Sequence, residues 1–285
     1  MAIVYGKLKG LEVPEVEHRY THRDTMLYAL GVGLGADPMD EAQLPFVYEA
    51  KLKMLPTMPV VLGYPGRWTR DLNTGIDYLK VVHGEQSLTI HKLPSPEGTV
   101  LGRTKVTGIV DKGKDKGALV YQERTVIDKA SGELLCTLKS TTFARGDGGY
   151  GGPSDPVREP KELPDGAPDA SCDLATLPQA ALIYRLSGDY NPLHGDPQTA
   201  KAAGFPRPIL HGLCTFGIAG HALLKTLCGY DPLRLKHIEA RFSAPVFPGE
   251  TVRTEMWRRG KAVFFRARIS GRDAIVLNNG YAEIA

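Results

Sequence analysis

The chain has 285 residues, of which 42% are hydrophobic and 24% charged, and this composition allows a buried core in each of two halves of roughly 140 residues. The net charge of +3 is mild, and the aromatic residues are scattered rather than interleaved with a basic stripe, so we expect no nucleic-acid partner. No apolar run of the sequence reaches the ~20 residues that cross a bilayer, so we expect no membrane partner.

The cysteines and the two ends of the sequence predict a cellular location. Four cysteines without CxxC spacing are typical of a reducing compartment: Cys136, Cys172, Cys214 and Cys228. The opening residues do not follow the pattern of a signal peptide, and the closing YAEIA is not a peroxisomal tripeptide. We therefore expect a cytoplasmic protein.

The first half reads as a helix followed by an antiparallel sheet. Residues 22–35 have apolar side chains at helical spacing and then a glycine cluster that ends the helix. An apolar run begins after Pro56, within residues 52–63. Residues 78–93 alternate and predict a hairpin around residues 83–85, and strands continue to residue 144 with turns at DKGKDKG and KASGE.

The second half repeats this plan after a segment without periodicity. Residues 144–171 are rich in Gly, Pro and Asp, which is typical of a linker or of a long coil on the surface. A short helix is predicted to end near Gly188, and a long apolar helix over residues 211–229 to end at Gly229. Alternating strands follow to the end of the chain.

Four short matches in the same order indicate an internal duplication. The matched pairs are Tyr28 with Tyr184, Leu55 with Leu210, Gly84 with Gly249, and Ser131 with Ser270. On the first match, the polar residues Asp189, Asn191 and His194 face Gly33, Gly35 and Pro38. We therefore expect the second copy to carry out chemistry and the first copy to form a binding wall.

The residues from 184 to 212 carry the most chemistry. Pro192 disfavours helix at Asn191, so the segment leaves the helix and both Asp189 and His194 can turn toward one pocket. A carboxylate and an imidazole about one water apart form an acid–base pair, and Asn191 between them can hold the water. Taken alone, Asp189 would equally suit a turn or a helix cap.

Gly212 opens the long apolar helix, where backbone N–H groups point outward with partial positive charge. A glycine there allows a carbonyl oxygen to approach, as in an oxyanion hole. For His211 a core or capping role is preferred to catalysis. No metal set is predicted, because His194 and His211 lack HxH or HExxH spacing and cysteine partners.

The stretch YRLSGDYNPLHGDP, followed by GFPRPILHGLCTFG, resembles the (R)-specific enoyl-CoA hydratases, also called the hydratase 2 or MaoC-like dehydratase group. The similarity is greatest to the hydratase 2 domain of peroxisomal multifunctional enzyme type 2. It extends over nearly the whole chain, through LPTM, VVHGEQ, VDKG, GGYGG and ARFSAPVFPGETVRTEMW. The family's peroxisomal members carry a targeting tripeptide and often a fused dehydrogenase, and this chain is expected to be a free-standing enzyme.

The resemblance implies an α+β double hot-dog fold, in which each of two repeats wraps an antiparallel sheet around a long central helix. It makes residues 1–145 a degenerate repeat that binds the acyl chain, residues 146–172 a linker, and residues 173–285 the catalytic repeat. The family adds water reversibly to trans-2-enoyl-CoA, giving (R)-3-hydroxyacyl-CoA without a cofactor. We expect an acyl-CoA substrate, no cofactor and a homodimer. If the first-half helix is interrupted around Pro56 and Pro59, the space suits a medium, long or bulky acyl chain.

The resemblance also assigns individual residues. The catalytic pair falls on Asp189 and His194, the positioning amide on Asn191 and the oxyanion N–H on Gly212. Contacts to the acyl-CoA fall on His83, Gly84, Lys112, Tyr190, Pro192, Leu193 and Phe242. Lys112 would suit a CoA phosphate or a solvated turn, and Phe242 would also suit the core. Two alternatives remain open: a thioesterase on the same fold, which would release free CoA, and a non-catalytic acyl-CoA-binding protein.

Overall fold

The structure, a computed structural model, describes residues 3–285. Seven helices are present in this range: α1 Tyr5–Lys9, α2 His22–Gly31, α3 Leu44–Val47, α4 Trp68–Asp71, α5 Ala180–Tyr184, α6 Pro197–Ala202 and α7 Gly212–Cys228. The strands are β1 Val16–Tyr20, β2 Val81–Ile90, β3 Gly98–Asp111, β4 Ala118–Asp128, β5 Leu134–Ala144, β6 Ala170–Ala175, β7 Leu235–Phe242, β8 Thr251–Arg259, β9 Ala262–Ser270 and β10 Ile275–Ile284. Short 3₁₀ helices span Met58–Val61, Tyr78–Lys80, Arg185–Ser187 and Pro192–His194.

The strands form one ten-stranded antiparallel sheet whose order reveals the duplication. The first half runs β1-β3-β4-β5-β2, and the second half, read from its own outer edge, runs β6-β8-β9-β10-β7. The two halves therefore share one topology and meet where β2 pairs with β7. At this seam Arg241 lies opposite Glu85, and their side chains form an ion pair at 2.7 Å. The predicted duplication and the α+β double hot-dog architecture are confirmed.

The hairpin predicted around residues 83–85 is wrong. Strand β2 runs through this point without a turn, and the register shifts by a β-bulge between His83, opposite Thr142, and Glu85, opposite Thr141. A β-carbon added at Gly84 would lie 3.2 Å from the carbonyl oxygen of Thr141, so glycine allows the bulge to sit against β5. The match of Gly84 with Gly249 is wrong as well, because Gly249 lies in the turn before β8 and the counterpart of β2 is β7.

Helix α7 is the central helix of the second half, as its continuous apolar sequence predicts. It is 17 residues long, is buried over most of its length, and ends at Gly229 in the left-handed region with φ +58°. Two glycines let the first half approach it closely. A β-carbon at Gly217 would lie 2.6 Å from Val32, and one at Gly220 would lie 2.3 Å from Thr57.

The first half has no helix of that length among the described residues, where its longest is the ten-residue α2. At the position matched to the start of α7 stands the 3₁₀ helix Met58–Val61, which contains Pro59. The predicted interruption at the prolines is confirmed. A proline lacks the N–H that a continuing α-helix requires.

The segment between residues 145 and 169 contains no helix or strand and crosses the surface of the sheet. Asp155 anchors it to the first half by accepting hydrogen bonds from Tyr5, from Lys9 and from the backbone N–H of Ile109. Near its far end, the indole of Trp257 donates to the carbonyl of Gly166. One hydrophobic core contains residues of both halves, so the domain boundaries at 145 and 173 stay a prediction. Within residues 3–285, no helix has the length and apolarity to cross a membrane.

Candidate active site

The loop after α5 is shaped by turns that the sequence specifies. Gly188 adopts the left-handed region, with φ +115°, and ends the 3₁₀ helix Arg185–Ser187. The carboxylate of Asp189 accepts from the backbone N–H of Asn191 at 3.1 Å, and the amide oxygen of Asn191 accepts from the N–H of Leu193 at 3.2 Å. These two Asx turns fix the direction in which the chain leaves the helix.

His194 closes this loop and is 8% exposed. Its Nδ1 lies 2.8 Å from the carbonyl oxygen of Ile209, which can only accept, so Nδ1 carries the proton. Nε2 is therefore an unprotonated acceptor in the neutral ring. Burial lowers the pKa of His194, and this effect exceeds the opposing influence of the Ile209 hydrogen bond and the Asp189 charge.

His211 lies directly against His194. The two imidazoles are stacked, with ring centroids 3.7 Å apart and an interplanar angle of 27°. His211 Nε2 lies 3.1 Å from the carbonyl oxygen of Asp189 and donates to it, whereas Nδ1 is buried without a partner. Burial, and then the neighbouring His194, lower the pKa of His211 to about 4. His211 occupies the N-cap position of α7 but makes no side-chain cap, so the capping role is wrong and the buried placement is right.

Asp189, His194 and His211 each offer one ligand atom, and these atoms lie within 4.8 Å of one another. This spacing is short enough for one water molecule to contact Asp189 and His194 together. A metal ion needs the lone pair of each imidazole to point at it in the plane of the ring, and two stacked rings direct their lone pairs side by side instead. The prediction that no metal binds stays a prediction, and this stacking agrees with it.

A second group of predicted residues meets at the start of α7. A β-carbon added at Gly212 would lie 3.2 Å from Cε1 of Phe242, at the end of β7. The Phe242 ring lies 4.8 Å from the ring of His83, on β2, and His83 is open to solvent. Elements of both halves therefore surround the first N–H groups of α7, which have no acceptor within the helix. The absence of a side chain at Gly212 leaves this N–H approachable.

The remaining predicted contact residues lie around this centre. Tyr190 is 58% exposed, with its ring 5.0 Å from the guanidinium of Arg185, and Pro192 and Leu193 begin the 3₁₀ helix that ends at His194. Gly84 lies in the bulge next to His83. Lys112 follows β3 in the first half, where its ammonium lies 5.1 Å from the ring of Phe143. Its backbone N–H donates to the Gly117 carbonyl at 3.1 Å, and neither of these contacts connects Lys112 to the Asp189 group.

Two tyrosines beneath the histidines were missed as site residues. The Tyr184 ring lies 5.1 Å from His211, and the Tyr28 ring lies 5.8 Å from Tyr184. Both rings are at most 1% exposed. These tyrosines occupy matched positions of the duplicated halves, and that match is the sequence signal that could have found them.

Family models match both halves of the chain. A model described as "MFE-2 hydratase 2 N-terminal domain" matches residues 18–146, and one described as "MaoC like domain" matches residues 160–278. Together they account for the helix–sheet unit of each half.

Individual relatives agree with these models. A protein of Arabidopsis thaliana named "Enoyl-CoA hydratase 2, peroxisomal" is 39% identical over 96% of this chain and 93% of its own length. The crystal structure of a MaoC-like dehydratase from Phytophthora capsici, 36% identical, superposes with a TM-score of 0.86 over 98% of both chains. A Mycobacterium tuberculosis protein described as having a double hotdog fold, 16% identical, has a TM-score of 0.57 over 96% of this chain and 94% of that one, which supports the fold alone.

Proposed function

The chain belongs to the MaoC-like hydratase 2 family, and from this we propose that it is an (R)-specific enoyl-CoA hydratase, a hydro-lyase that adds water reversibly to trans-2-enoyl-CoA. At the level of residues, the proposal is supported by the close grouping of Asp189 and His194, which bring a carboxylate oxygen and a ring nitrogen within 4.8 Å of each other. Both side chains belong to the short loop after α5, and we propose that both face the substrate from the same side.

Asp189 and His194 hold the reacting water between them. Nε2 of His194 has a free lone pair, because Nδ1 is bound to Ile209, and it accepts a proton from the water as the water oxygen bonds to C3. The Asp189 carboxylate accepts a hydrogen bond from the water's other O–H, which stays on the oxygen as the product hydroxyl, and Asn191 fixes the turn. The proton taken up by Nε2 of His194 is then delivered to C2 from the same side, so that addition is syn and His194 returns to its neutral form.

The first N–H of α7, at Gly212, stabilises the enolate oxygen that forms when water adds to the thioester. A helix N-terminus carries partial positive charge, and one such donor contributes about 3–4 kcal/mol in other enzymes. Gly212→Ala would bring a β-carbon against Phe242, so we expect a lower kcat in this variant. Adding Phe242→Ala to Gly212→Ala should recover part of it by removing the ring that the methyl group meets.

Hydration is measured as the loss of the enoyl absorbance, followed by chiral analysis of the product. We expect the product to be (3R)-3-hydroxyacyl-CoA, with no free thiol of CoA released. Release of free CoA would instead support the thioesterase alternative, and substrate binding without turnover would support a non-catalytic acyl-CoA-binding protein.

We propose that the acyl chain lies along the 3₁₀ helix Met58–Val61, where the first half lacks a long helix. Met54 and Met58 are buried there, and methionine side chains adapt readily to an apolar guest. Medium, long or bulky acyl chains are therefore the proposed substrates. Comparing trans-2-decenoyl-CoA with crotonyl-CoA tests this, and a clear preference for crotonyl-CoA would refute it.

Three further properties belong to the proposal. No cofactor takes part beyond the CoA of the substrate, and dialysis against EDTA should leave the rate unchanged. The protein forms a homodimer, which light scattering after size exclusion tests. Its location is cytoplasmic, although the Arabidopsis relative is named as peroxisomal, and microscopy of a tagged chain in its own cell distinguishes the two.

A further inference from the structure

A row of buried polar atoms lies between the two halves and ends at the proposed active site. The Tyr28 and Tyr184 hydroxyls, Oγ1 of Thr57 and Nδ1 of His211 are all buried without a hydrogen-bond partner among residues 3–285. Each of the four residues is at most 1% exposed. Buried polar groups are rarely left unpaired, so four in one region call for an explanation.

These atoms are neighbours. The Tyr28 hydroxyl lies against Gly217 of α7, where an added β-carbon would approach it to 2.9 Å, and Thr57 packs on Gly220 one turn further along. The hydroxyls of Thr57 and Tyr184 flank that of Tyr28 closely enough to influence its ionisation, but none of the three is oriented with the geometry of a direct hydrogen bond to another. The Tyr184 ring then contacts the ring of His211. The two glycines of α7 thus bring these groups together.

We propose that Thr57, Tyr28 and Tyr184 form a hydrogen-bond relay, bridged by buried water, which ends on Nδ1 of His211 and thereby positions Asp189. This inference deepens the proposed function and rests on it. A buried water suits a polar site that offers two to four partners, and the hydroxyls supply both donors and acceptors. Tyr28 and Thr57 come from the first half, so that half contributes to a reaction centre whose acid and base lie in the second.

The relay acts through the tautomer of His211. Its Nε2 donates to the carbonyl of Asp189, which requires Nδ1 to be unprotonated and to accept a hydrogen bond. With a donor at Nδ1, this tautomer is favoured and the carbonyl of Asp189 is held. Without that donor the proton can move to Nδ1, and the bond to the Asp189 carbonyl is lost. The carboxylate is then held only through its Asx turn with Asn191, on a backbone that is less firmly fixed. Burial keeps both tyrosine hydroxyls protonated by raising the pKa of each, so they remain available as donors.

The test uses Tyr28→Phe and Tyr184→Phe, which remove a hydroxyl and keep the ring. Groups that position a reacting residue typically contribute 10- to 100-fold, so we expect kcat to fall about 10-fold in each variant with KM unchanged. The ¹⁵N chemical shifts of His211 should move toward the Nδ1–H tautomer. Tyr20→Phe is the matched control, because Tyr20 is also buried in the first half but its hydroxyl donates to the Ser95 carbonyl. It should leave both kcat and the shifts of His211 unchanged.

Each outcome decides the matter. An unaltered kcat in Tyr28→Phe and Tyr184→Phe, or unaltered His211 shifts, overturns the relay. An equal fall of kcat in Tyr20→Phe shows that only the loss of a buried hydroxyl matters, and also overturns it. If the wild-type protein hydrates no enoyl-CoA, the proposed function fails, while the ¹⁵N shifts still report whether the tyrosines set the tautomer of His211.

Discussion

The imidazole of His194 is stacked on that of His211 at 3.7 Å, and each ring is bonded to a different backbone carbonyl. His194 donates through Nδ1 to Ile209, whereas His211 donates through Nε2 to Asp189. The two histidines are therefore held in opposite tautomers. This leaves Nε2 of His194 free for the proposed reaction, and His211 bonded to the carbonyl of Asp189, its proposed partner.

Removing either member of the acid–base pair should abolish most activity without unfolding the protein. We expect Asp189→Asn and His194→Gln to lower kcat by about 10²–10⁴-fold, which is the usual contribution of a positioned acid or base. Circular dichroism should remain that of the wild type. His91→Gln serves as the control, since His91 is exposed and its ring bonds the Thr137 hydroxyl, and it should retain full activity.

When kcat is measured against pH, its decrease on the acid side should be centred below 6.5, the ordinary pKa of histidine. Burial favours the neutral form of His194, so the base remains unprotonated as the pH falls past 6.5. The same pKa can be followed by NMR. It should fall further in Asp189→Asn, because the carboxylate raises it in the wild type. A limb in kcat centred above pH 6.5 would contradict the assignment of His194 as the base.

Acid should destabilise the fold through His221. Its ring is 1% exposed, its Nε2 lies 3.2 Å from the Tyr230 hydroxyl, and burial lowers its pKa to about 4. Below pH 6.5 the imidazole of His221 binds a proton in the unfolded chain but not in the folded chain. The free energy of unfolding therefore falls between pH 6.5 and about 4. The full loss is on the order of 3 kcal/mol.

Urea unfolding at pH 7 and pH 5 measures this effect. The decrease should be smaller in His221→Gln than in the wild type. It should be unchanged in His22→Gln, whose histidine is exposed at the start of α2. An identical decrease in His221→Gln and the wild type would show that another group is responsible.

The close packing of the first half against helix α7 should depend on the absence of a side chain at Gly220. A β-carbon there would lie 2.3 Å from Cγ2 of Thr57, so Gly220→Ala overpacks the contact between the halves. Overpacking costs about 1–3 kcal/mol, and for an approach this close we expect the cost to outweigh the ~1 kcal/mol by which alanine favours a helix over glycine. Thermal unfolding should therefore occur at a lower temperature.

Gly6→Ala is the matched control for that change, because Gly6 lies in helix α1 with nothing within 4 Å of an added β-carbon. It should be neutral or mildly stabilising. If Gly220→Ala unfolds at or above the wild-type temperature, Thr57 moves aside without cost and the packing of the two halves does not depend on Gly220.

The fold was predictable wherever the relevant pattern is local. The continuous apolar run after Gly212 predicts α7, and alternation predicts the strands of both halves. At Gly84 such local patterns fail, because the same residue types occur in a hairpin turn and in a β-bulge. Only the pairing with the neighbouring strand β5 distinguishes the two. Pairing between distant strands is not contained in any window of the sequence.

The residues of the site likewise divide into those that a local pattern predicts and those that only the folded structure brings together. Asp189 and His194 were predictable because Pro192 and the Asx residues turn one short loop. His211 was not, since its role depends on a contact to the Asp189 carbonyl across the loop and α6. Nor was the contact of Tyr28 with Tyr184, which requires both halves to fold against each other.

The stereochemistry of the product decides whether Asp189 and His194 hydrate an enoyl-CoA: wild type and Asp189→Asn are mixed with trans-2-decenoyl-CoA, and the products are separated on a chiral column while free thiol is recorded. We expect (3R)-3-hydroxydecanoyl-CoA from the wild type, almost none from the variant, and no free thiol from either. Formation of the (3S) product, release of free CoA, or equal turnover by the variant would contradict it.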